Sequence, residues 1–325
     1  RIKGGIQSVR GRACKKVAGF ARRVDLLTGT PMPQGYDDLR NLFNLSWGCL
    51  PQKYLTDEKL AQITPNSVFV RTTKEELKLP PVEIKEIPIE PSDLQMEIYS
   101  SLKHSYRGFL KVDFKDKSKL GQMGKAVMSL IVAASNPGLI LGKQSEDAFL
   151  NLQWPPAEVS SDSDLMEIIG NYVSHEMPPK YKWLAQFINK SHREGKKTLV
   201  WSNFVGNLFS LERLLAQYNP ALICGSVSQE DRKELLARFR EDPKCSVLLT
   251  NPQTLGEGIS LHRVCNQAVY IDRTYNAGHY LQSLDRIHRL GLPKDVITNI
   301  YVLTTNKTID YRINVRLSEK VNRMA

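Results

Sequence analysis

The sequence has no uninterrupted apolar run of the length that a membrane-spanning helix requires, which is about 18 to 20 residues. We therefore do not expect an integral membrane protein. The first residues, Arg1-Ile2-Lys3-Gly4-Gly5, lack both an initiator methionine and the apolar core of a signal peptide. This beginning is typical of a chain cut from something longer.

Cysteine is also scarce: five residues, an odd number, with no pair in CxxC spacing. The pattern supports neither a disulfide framework nor a zinc site, and it favours a reducing compartment, cytosolic or nuclear. The six histidines are scattered without the spacing of metal ligands, so no metal site is predicted in this chain. We expect the cysteines to be small buried side chains: Cys14, Cys49, Cys224, Cys245 and Cys265.

Positive charge is present in excess and is unevenly distributed. The 325 residues include 45 Lys and Arg against 34 Asp and Glu, a formal net charge of +11, and residues 1–25 hold eight cations and one acid. A basic segment of this kind fits a nucleic acid, although a solvated helix face has the same composition. Residues 144–179 contain seven acids and no Lys or Arg, which is typical of a surface insertion facing away from DNA.

The first half of the sequence predicts a mixture of elements. Residues 8–23 have the composition of a basic helix, and residues 24–27 are predicted to form a buried strand before a tight turn. Asp37 is expected to cap a helix with an apolar face. Residues 82–89 alternate like a strand, and residues 92–133 are helical with an interruption at 111–119.

From Lys180 onward, strands alternate with helices. This order is typical of βαβ units in a parallel sheet, so the predicted fold class is α/β. Ligands of such sheets bind at the carboxyl ends of the strands, where polar loops fall in this sequence. The predicted strands are 198–201, 221–223, 246–250, 268–271 and 297–303, and the predicted helices are 181–194, 205–218, 229–240 and 278–290.

The segment from Gln282 to Gly291 carries the most chemical information. On a continuous helix Gln282, Arg286 and Arg289 share one face, because they are spaced i, i+4 and i+7. Two guanidiniums on one face suit a polyphosphate whose charge rises during cleavage. The alternative is a basic surface helix with an internal Asp285–Arg289 pair.

Several segments together resemble the Swi/Snf-type DNA translocases of helicase superfamily two. Residues 26–31 (LLTGTP) are similar to motif III, residues 199–204 (LVWSNF) to motif IV, and residues 282–291 (QSLDRIHRLG) to motif VI. The remaining segments that carry the resemblance are residues 69–74 with 79–81 between the lobes, 129–137 in a helical protrusion, 224–232 with Phe239 and Asp242-Pro243, and 248–261 for motif V. Motif V departs from the eukaryotic remodellers at residues 251–254, and the protrusions are short.

The resemblance implies the domain organisation. Residues 1–80 correspond to the end of a first RecA-like lobe with motif III and a short helical protrusion. Residues 81–325 correspond to the second lobe, a RecA-like parallel sheet flanked by helices. Within the second lobe we expect a helical protrusion at 92–140, an acidic insertion at 142–179, a core with motifs IV to VI at 180–303 and a C-terminal helix at 304–325.

The resemblance also implies function: the C-terminal motor portion of an ATP-dependent double-stranded DNA translocase. ATP and Mg²⁺ would be held mainly by the first lobe, because neither a GxxxxGK[ST] loop nor the acidic magnesium motif of the family is found here. The fragment alone is therefore not expected to hydrolyse ATP. Its partners would be double-stranded DNA, the N-terminal RecA-like lobe of the same parent chain and a possible fused or associated effector domain, but no membrane.

The family's motifs assign site residues to this sequence. Arg286 and Arg289 are the expected catalytic arginine fingers, and His288 is expected to be a packed or hydrogen-bonding helix residue. The expected nucleotide contacts are Gln282, Gly256 and Gly258. The expected DNA contacts are Ser202, Asn203, Gly225, Ser226 and Thr250, all of which would look the same as capping or turn residues. The expected coupling residues are Thr28, Gly29 and Thr30.

Three alternatives remain open from sequence. One is a non-catalytic DNA-binding or regulatory module with the same lobe fold, and another is an unwinding helicase or RNA-directed ATPase of the same superfamily. The third, an unrelated nucleotide-binding α/β enzyme, would require a glycine-rich fingerprint after its first strand, and the sequence has none. The expected location is the cytoplasm, with a prokaryotic or viral origin favoured, or the nucleus if the source is eukaryotic.

Overall fold

A computed structural model describes residues 5, 8–28, 35–47, 55–63, 70, 72, 76–108, 117–141, 163–255 and 259–324. The chain forms two compact units. The smaller comprises residues 1–78, 276–282 and 317–325, and the larger comprises residues 79–275 and 283–316.

The larger unit contains a six-stranded sheet in which every described pairing is parallel. Its order is β1-β6-β5-β2-β4-β3, with β2 and β5 in the middle. The interior strands β2, β4 and β5 are short, mostly apolar runs that are buried on both faces, as is typical of parallel sheets. The strands are β1 (Val82–Ile89), β2 (Thr198–Trp201), β3 (Ala221–Ile223), β4 (Val247–Thr250), β5 (Gln267–Tyr270) and β6 (Thr298–Thr305).

Twelve α-helices lie in the described part of the chain. They are α1 (Val9–Ala18), α2 (Tyr36–Ser46), α3 (Asp57–Ile63), α4 (Asp93–Ser105), α5 (Lys117–Ser135), α6 (Ser163–His175), α7 (Pro179–Arg193), α8 (Val205–Leu214), α9 (Gln229–Glu241), α10 (Pro252–Leu255), α11 (Ala277–Leu284) and α12 (Ile309–Met324). Short 3₁₀ turns follow α5 and α8, at Pro137–Leu139 and Ala216–Tyr218. No described helix combines the length and apolar character needed to cross a membrane.

Helices cover both faces of the sheet. On one face Val200, Leu249 and Val269 form a core cluster with buried residues of α7 and α8, such as Leu184 and Leu208. On the opposite face the ring of Trp201 stacks on that of Tyr270, with centroids 6.2 Å apart. The predicted α/β class with a parallel sheet flanked by helices is confirmed.

The smaller unit has a core of its own, in which Leu39 and Phe43 of α2 pack with Leu55 and Leu60. Asp37 is not the helix cap that the sequence predicted. The N-cap position is Gly35, and Asp37 lies in the first turn and pairs with Arg40. A carboxylate in the first turn still favours the helix, because it faces the positive end of the helix dipole.

The predicted buried strand at residues 24–27 is wrong. These residues have no regular secondary structure, and Leu27 is 98% exposed. A strand needs a neighbour that takes its backbone hydrogen bonds, and all six described strands pair among themselves in the sheet of the larger unit.

Part of the acidic region is integrated into the larger unit rather than lying wholly on the surface. Residues 163–175 of this region form α6, in which Leu165, Ile169 and Tyr172 are buried. Burial by its neighbours raises the pKa of the Tyr172 hydroxyl well above its usual value, and the nearby Glu176 carboxylate raises it further. The apolar spacing of this helix therefore decides its placement, despite the local negative charge.

Three cysteines, Cys224, Cys245 and Cys265, are buried and unpaired, as predicted. Cys14 is half-buried, and Cys49 lies outside the described residues. Burial raises the pKa of the Cys265 thiol to about 11, which keeps it protonated and unreactive at neutral pH.

Candidate nucleotide and DNA interface

The candidate site begins at the carboxyl edge of the sheet. Since all the strands are parallel, the loops that follow β5, β2, β4 and β3 emerge side by side at one edge. Asp272 follows β5, Ser202 and Asn203 follow β2, and Gly225 and Ser226 follow β3. Polar groups from neighbouring strands are thus brought together at the place where sheets of this kind bind ligands.

Asp272 organises the loop after β2. Its side chain is 2% exposed and accepts hydrogen bonds from the Asn203 backbone N–H (2.7 Å), Asn203 Nδ2 (3.1 Å) and Asn207 Nδ2 (3.0 Å). The Ser202 hydroxyl donates to Oδ2, the carboxyl oxygen that also accepts from Asn207. Burial raises the pKa of the Asp272 carboxyl, and the hydrogen bonds from Ser202 and Asn203 oppose this effect.

A buried ion pair lies next to this network. Lys180 Nζ donates to Asp310 Oδ2 (2.6 Å) and to the backbone carbonyl of Ile271 (2.7 Å), the residue before Asp272. Both charged side chains are almost fully buried, so each depends on the other for its polar partner. Lys180 therefore fixes the end of β5 against the start of α12.

Thr250 is held inside the sheet. Its hydroxyl donates to the Ile223 carbonyl (2.7 Å), and its own carbonyl accepts from the Ser202 N–H (3.1 Å). The hydroxyls of Ser202 and Thr250 are thus buried and occupied within the protein, so in this structure neither reaches a ligand directly.

The loop after β3 differs, because Gly225 and Ser226 are exposed. Arg232 of α9 supports this loop from behind, with Nη2 donating to the carbonyls of Cys224 (3.2 Å) and Gly225 (3.3 Å). The loop thus presents a backbone and a hydroxyl to solvent on a rigid base.

The helix predicted at 278–290 is shorter than expected, since α11 ends at Leu284. The Arg286 carbonyl accepts from the Leu261 N–H (2.9 Å) instead of continuing the helix, and Gly291 has a positive φ of 102°. Gln282 is in the last turn of α11, whereas Arg286 and Arg289 lie in the turns that follow. The prediction that these three side chains share one continuous helix face is therefore wrong.

Both arginines contact the same short segment. Arg286 Nη1 donates to the Ile259 carbonyl (3.0 Å), and Arg289 Nη1 donates to the Ser260 hydroxyl (2.6 Å). Arg240 of α9 reaches the Ser260 carbonyl (3.3 Å). Arg286 is largely buried, whereas Arg289 is exposed. Three guanidiniums from two parts of the chain thus meet at residues 259–260.

The pKa of the neighbouring His262 reflects this concentration of positive charge. Burial lowers the pKa of His262, and the cations Arg263 and Arg289 lower it further. Gly291 packs closely there, since a Cβ at this position would lie 3.1 Å from His262 Nε2. The region is suited to an anion, because a negative group would relieve the mutual repulsion of the cations.

His288, between the two arginines, is a buried hydrogen-bonding residue, as expected, but it lies outside the helix. Its Nε2 donates to the Pro80 carbonyl (2.8 Å). A carbonyl oxygen only accepts, so Nε2 carries the proton in this contact. This geometry gives His288 no exposed base for chemistry.

Several predicted residues cannot be placed. Gly256 and Gly258 of motif V, and Gly29 and Thr30 of motif III, lie outside the described residues, while Thr28 is exposed in irregular structure. Asp57 and Glu58 open α3, and the Asp57 carboxylate pairs with Arg40. Within the described part of the chain, no group of three or more His, Cys, Asp or Glu side chains is arranged to hold a metal ion.

Sequence reasoning missed the residues that support the site: Asp272, Asn207, Lys180 and Arg240. Asp272 carried a signal, because a carboxylate directly after the buried run of β5 stands at the carboxyl edge of the sheet. Lys180 and Asp310 gave no signal, since they are 130 positions apart in the chain.

Comparisons with known proteins agree with this architecture. The family described as "Helicase conserved C-terminal domain" matches residues 179–291. Protein CHROMATIN REMODELING 4 of Arabidopsis thaliana is 25% identical over 319 residues, covering 93% of this chain and 13% of that protein. ATP-dependent helicase fft1 of Schizosaccharomyces pombe is 25% identical over 313 residues, covering 86% of this chain and 32% of that protein. The chain thus spans less than a third of either relative.

Two solved structures share the fold. The C-terminal part of the Fun30 ATPase domain superposes with a TM-score of 0.54 at 20% identity, covering 74% of this chain and 89% of the other. The Sulfolobus solfataricus SWI2/SNF2 ATPase core in complex with double-stranded DNA has a TM-score of 0.53 at 17% identity, covering 92% and 61%.

Proposed function

Because this chain belongs to the Swi/Snf-type family of helicase superfamily two and covers mainly its second lobe, we propose that it is the C-terminal motor portion of an ATP-dependent double-stranded DNA translocase. Its role is to supply arginine fingers to the nucleotide and backbone contacts to DNA. Residues 1–80 are proposed as the end of the first lobe and residues 81–325 as the second lobe.

The convergence of Arg286 and Arg289 on residues 259–260 supports this proposal most strongly. Arg289 is exposed, and its guanidinium has N–H donors besides the one that contacts Ser260. Arg286 is largely buried and holds the turn that carries Arg289. Such pre-positioned guanidiniums stabilise the negative charge that develops during phosphoryl transfer, an effect worth about 10³- to 10⁵-fold in rate.

ATP fits these residues chemically, because its polyphosphate supplies the negative charge that the cluster of cations favours. Arg286 and Arg289 would contact the phosphates, with Gln282, Gly256 and Gly258 as further nucleotide contacts. Mg²⁺ is assigned to the first lobe, where the family's acidic motif belongs. The described residues of this chain contribute charge and position but no set of metal ligands.

For DNA, we assign direct backbone contacts to Gly225 and Ser226, which are exposed. We assign Ser202, Asn203 and Thr250 to the same interface as residues that shape it, since their side chains are buried and hydrogen-bonded. Contacts of this kind are made to phosphates, so they predict low sequence specificity and strong salt dependence.

Thr28, Gly29 and Thr30 are proposed to couple the nucleotide state to the grip on DNA. Without a first lobe to hold ATP, this fragment alone is expected to be inactive. The four cysteines within the described residues form no disulfide, which fits a reducing compartment that contains DNA: the nucleus in a eukaryote, or the cytoplasm in a prokaryote or for a virus. An effector domain fused to the motor or associated with it would direct its action.

The test is ATP turnover by the longest natural chain that contains this segment, with and without duplex DNA. We expect strong stimulation by duplex DNA. Arg289→Ala should lower the rate by at least about 10³-fold while DNA affinity stays within a few-fold. Arg193→Ala, which removes an exposed arginine at the end of α7, is the matched control and should leave the rate unchanged.

Each other outcome selects a different function. An unchanged rate in Arg289→Ala would refute its role as a finger. DNA binding without any turnover would identify a non-catalytic module. Stimulation by RNA, or strand separation, would identify an unwinding helicase or RNA-directed ATPase of the same superfamily.

A further inference from the structure

The contact between His288 and Pro80 ties the arginine-bearing turn to the chain as it enters the larger unit. The smaller unit's first segment ends at Lys78, and the larger unit begins at Leu79. Lys78 has a positive φ of 49°, an uncommon conformation for a residue with a side chain. The last residue before the larger unit thus has a left-handed backbone conformation.

The chain that follows Lys78 is stiff. Pro80 and Pro81 have fixed φ angles and no N–H groups, so their carbonyls are their only polar atoms. Pro80 is buried, and its carbonyl accepts from His288 Nε2 (2.8 Å). The Pro81 carbonyl accepts from the Thr298 N–H at the start of β6 (3.1 Å). Two hydrogen bonds therefore hold the entering chain.

The other end of the first hydrogen bond is in the turn that carries the arginines. His288 is two residues after Arg286 and one before Arg289, and its own N–H donates to the Leu284 carbonyl (3.1 Å). A change in the position of Pro80 would therefore shift the His288 imidazole and, with it, the backbone between the two guanidiniums. A shift of about 1 Å at a catalytic group is enough to cost about 100-fold in rate.

We propose that His288 is a positioning residue: its hydrogen bond to Pro80 sets the placement of Arg286 and Arg289. The inference rests on the proposed function, because it assigns the arginines a role in turnover. It goes beyond that function by naming the contact that holds the fingers in place.

The test uses three substitutions in the longest natural chain. Gln places an amide nitrogen close to the position of Nε2, whereas the shorter Asn places one near Nδ1. His288→Ala and His288→Asn should lower the DNA-stimulated kcat by about 10- to 100-fold with the KM for ATP within about twofold. His288→Gln should restore the rate to within about threefold of the wild type.

A second measurement does not depend on turnover. Hydrogen–deuterium exchange should accelerate at the amides of residues 286–292 in the Ala and Asn variants but not in the Gln variant. Equal exchange in the wild type and all three variants would show that the His288–Pro80 contact does not hold this turn. A Gln variant that exchanges as fast as the Asn variant would show that the hydrogen bond from the Nε2 position is not what holds it. Absence of wild-type turnover would instead refute the proposed function, while the exchange pattern still decides whether the tie exists.

Discussion

The polar segments of the candidate site fall into two kinds. After β2 and β5, Ser202, Asn203 and Asp272 use their polar groups on one another and are buried. After β3, and in the turn after α11, Ser226 and Arg289 are exposed and held from behind. Both kinds contain small polar residues and charge. The difference arises from the buried carboxylate of Asp272, which accepts the hydrogen bonds that Ser202 and Asn203 would otherwise offer to a ligand.

The largest expected effect on stability comes from removing the buried cation next to the Asp272 network, Lys180. Lys180→Met leaves the Asp310 carboxylate buried without its cation and should lower the free energy of unfolding by about 3–5 kcal/mol. Lys190→Met, at an exposed position of the same helix, should change it by less than about 0.5 kcal/mol. Urea denaturation measures both, and equal values would show that the ion pair does not support the fold.

Asp272→Asn should cost about 1–3 kcal/mol, because the new amide directs N–H groups at Asn207 Nδ2, itself a donor. The cost should depend on pH. Burial raises the pKa of Asp272, so its folded-state pKa exceeds its unfolded value of about 3.9. The resulting stabilisation is complete below the unfolded pKa and is lost as pH rises through the folded pKa.

The deficit of the Asn variant should therefore be larger near pH 4 than near pH 7. Unfolding curves of both proteins across this range test the sign. A deficit that grows as pH rises would mean that the pKa of Asp272 is lowered instead.

A matched pair of serines sharpens the comparison further. Ser202→Ala removes a buried hydroxyl and should lower stability by about 1–2 kcal/mol, while Ser226→Ala, at an exposed site, should leave stability within about 0.5 kcal/mol. In the complete motor, Ser226→Ala should weaken DNA binding more than Ser202→Ala, measured by titration where both are folded. The reverse order would show that the buried loop makes the direct contact.

The smallest effect on the fold is expected at the basic helix α1. Arg10, Lys15 and Lys16 are exposed, so changing all three to Gln should leave stability unchanged. If these side chains meet DNA phosphates, the slope of log affinity against log salt should fall by about 2 to 3. The control changes Lys182, Lys190 and Arg193, exposed cations of α7, to Gln, and an equal fall there would mean that only net charge matters.

The strands of the larger unit could be predicted from sequence to within about two residues, because most are short apolar runs between polar turns and β1 alternates apolar with polar residues. The end of α11 could not. It is decided by a hydrogen bond from Leu261 to the Arg286 carbonyl, and no local pattern shows that contact. Helical spacing alone therefore placed Gln282 on a shared face with the two arginines.

The burial of Ser202 was equally hidden from sequence, since its partner Asp272 is 70 positions away in the chain. A serine that caps a loop internally and one that binds a phosphate have the same neighbours in sequence. By contrast, the clustering of cations in the first 25 residues was visible directly, and in the structure those of α1 are exposed. Local composition thus predicted exposed charge better than buried polar contacts.

The pairing of β1 with β6 can form only late in the synthesis of the chain. Val82 lies beside Thr298, so the two edges that meet are separated by about 200 residues of chain. At about 5 to 20 residues per second, a ribosome needs roughly 10 to 40 s to make that stretch. During this time β1 has been synthesised but its partner has not, so the backbone groups that later pair with β6 remain open to unwanted association. The nascent chain is therefore prone to unwanted association through β1 until β6 has been synthesised.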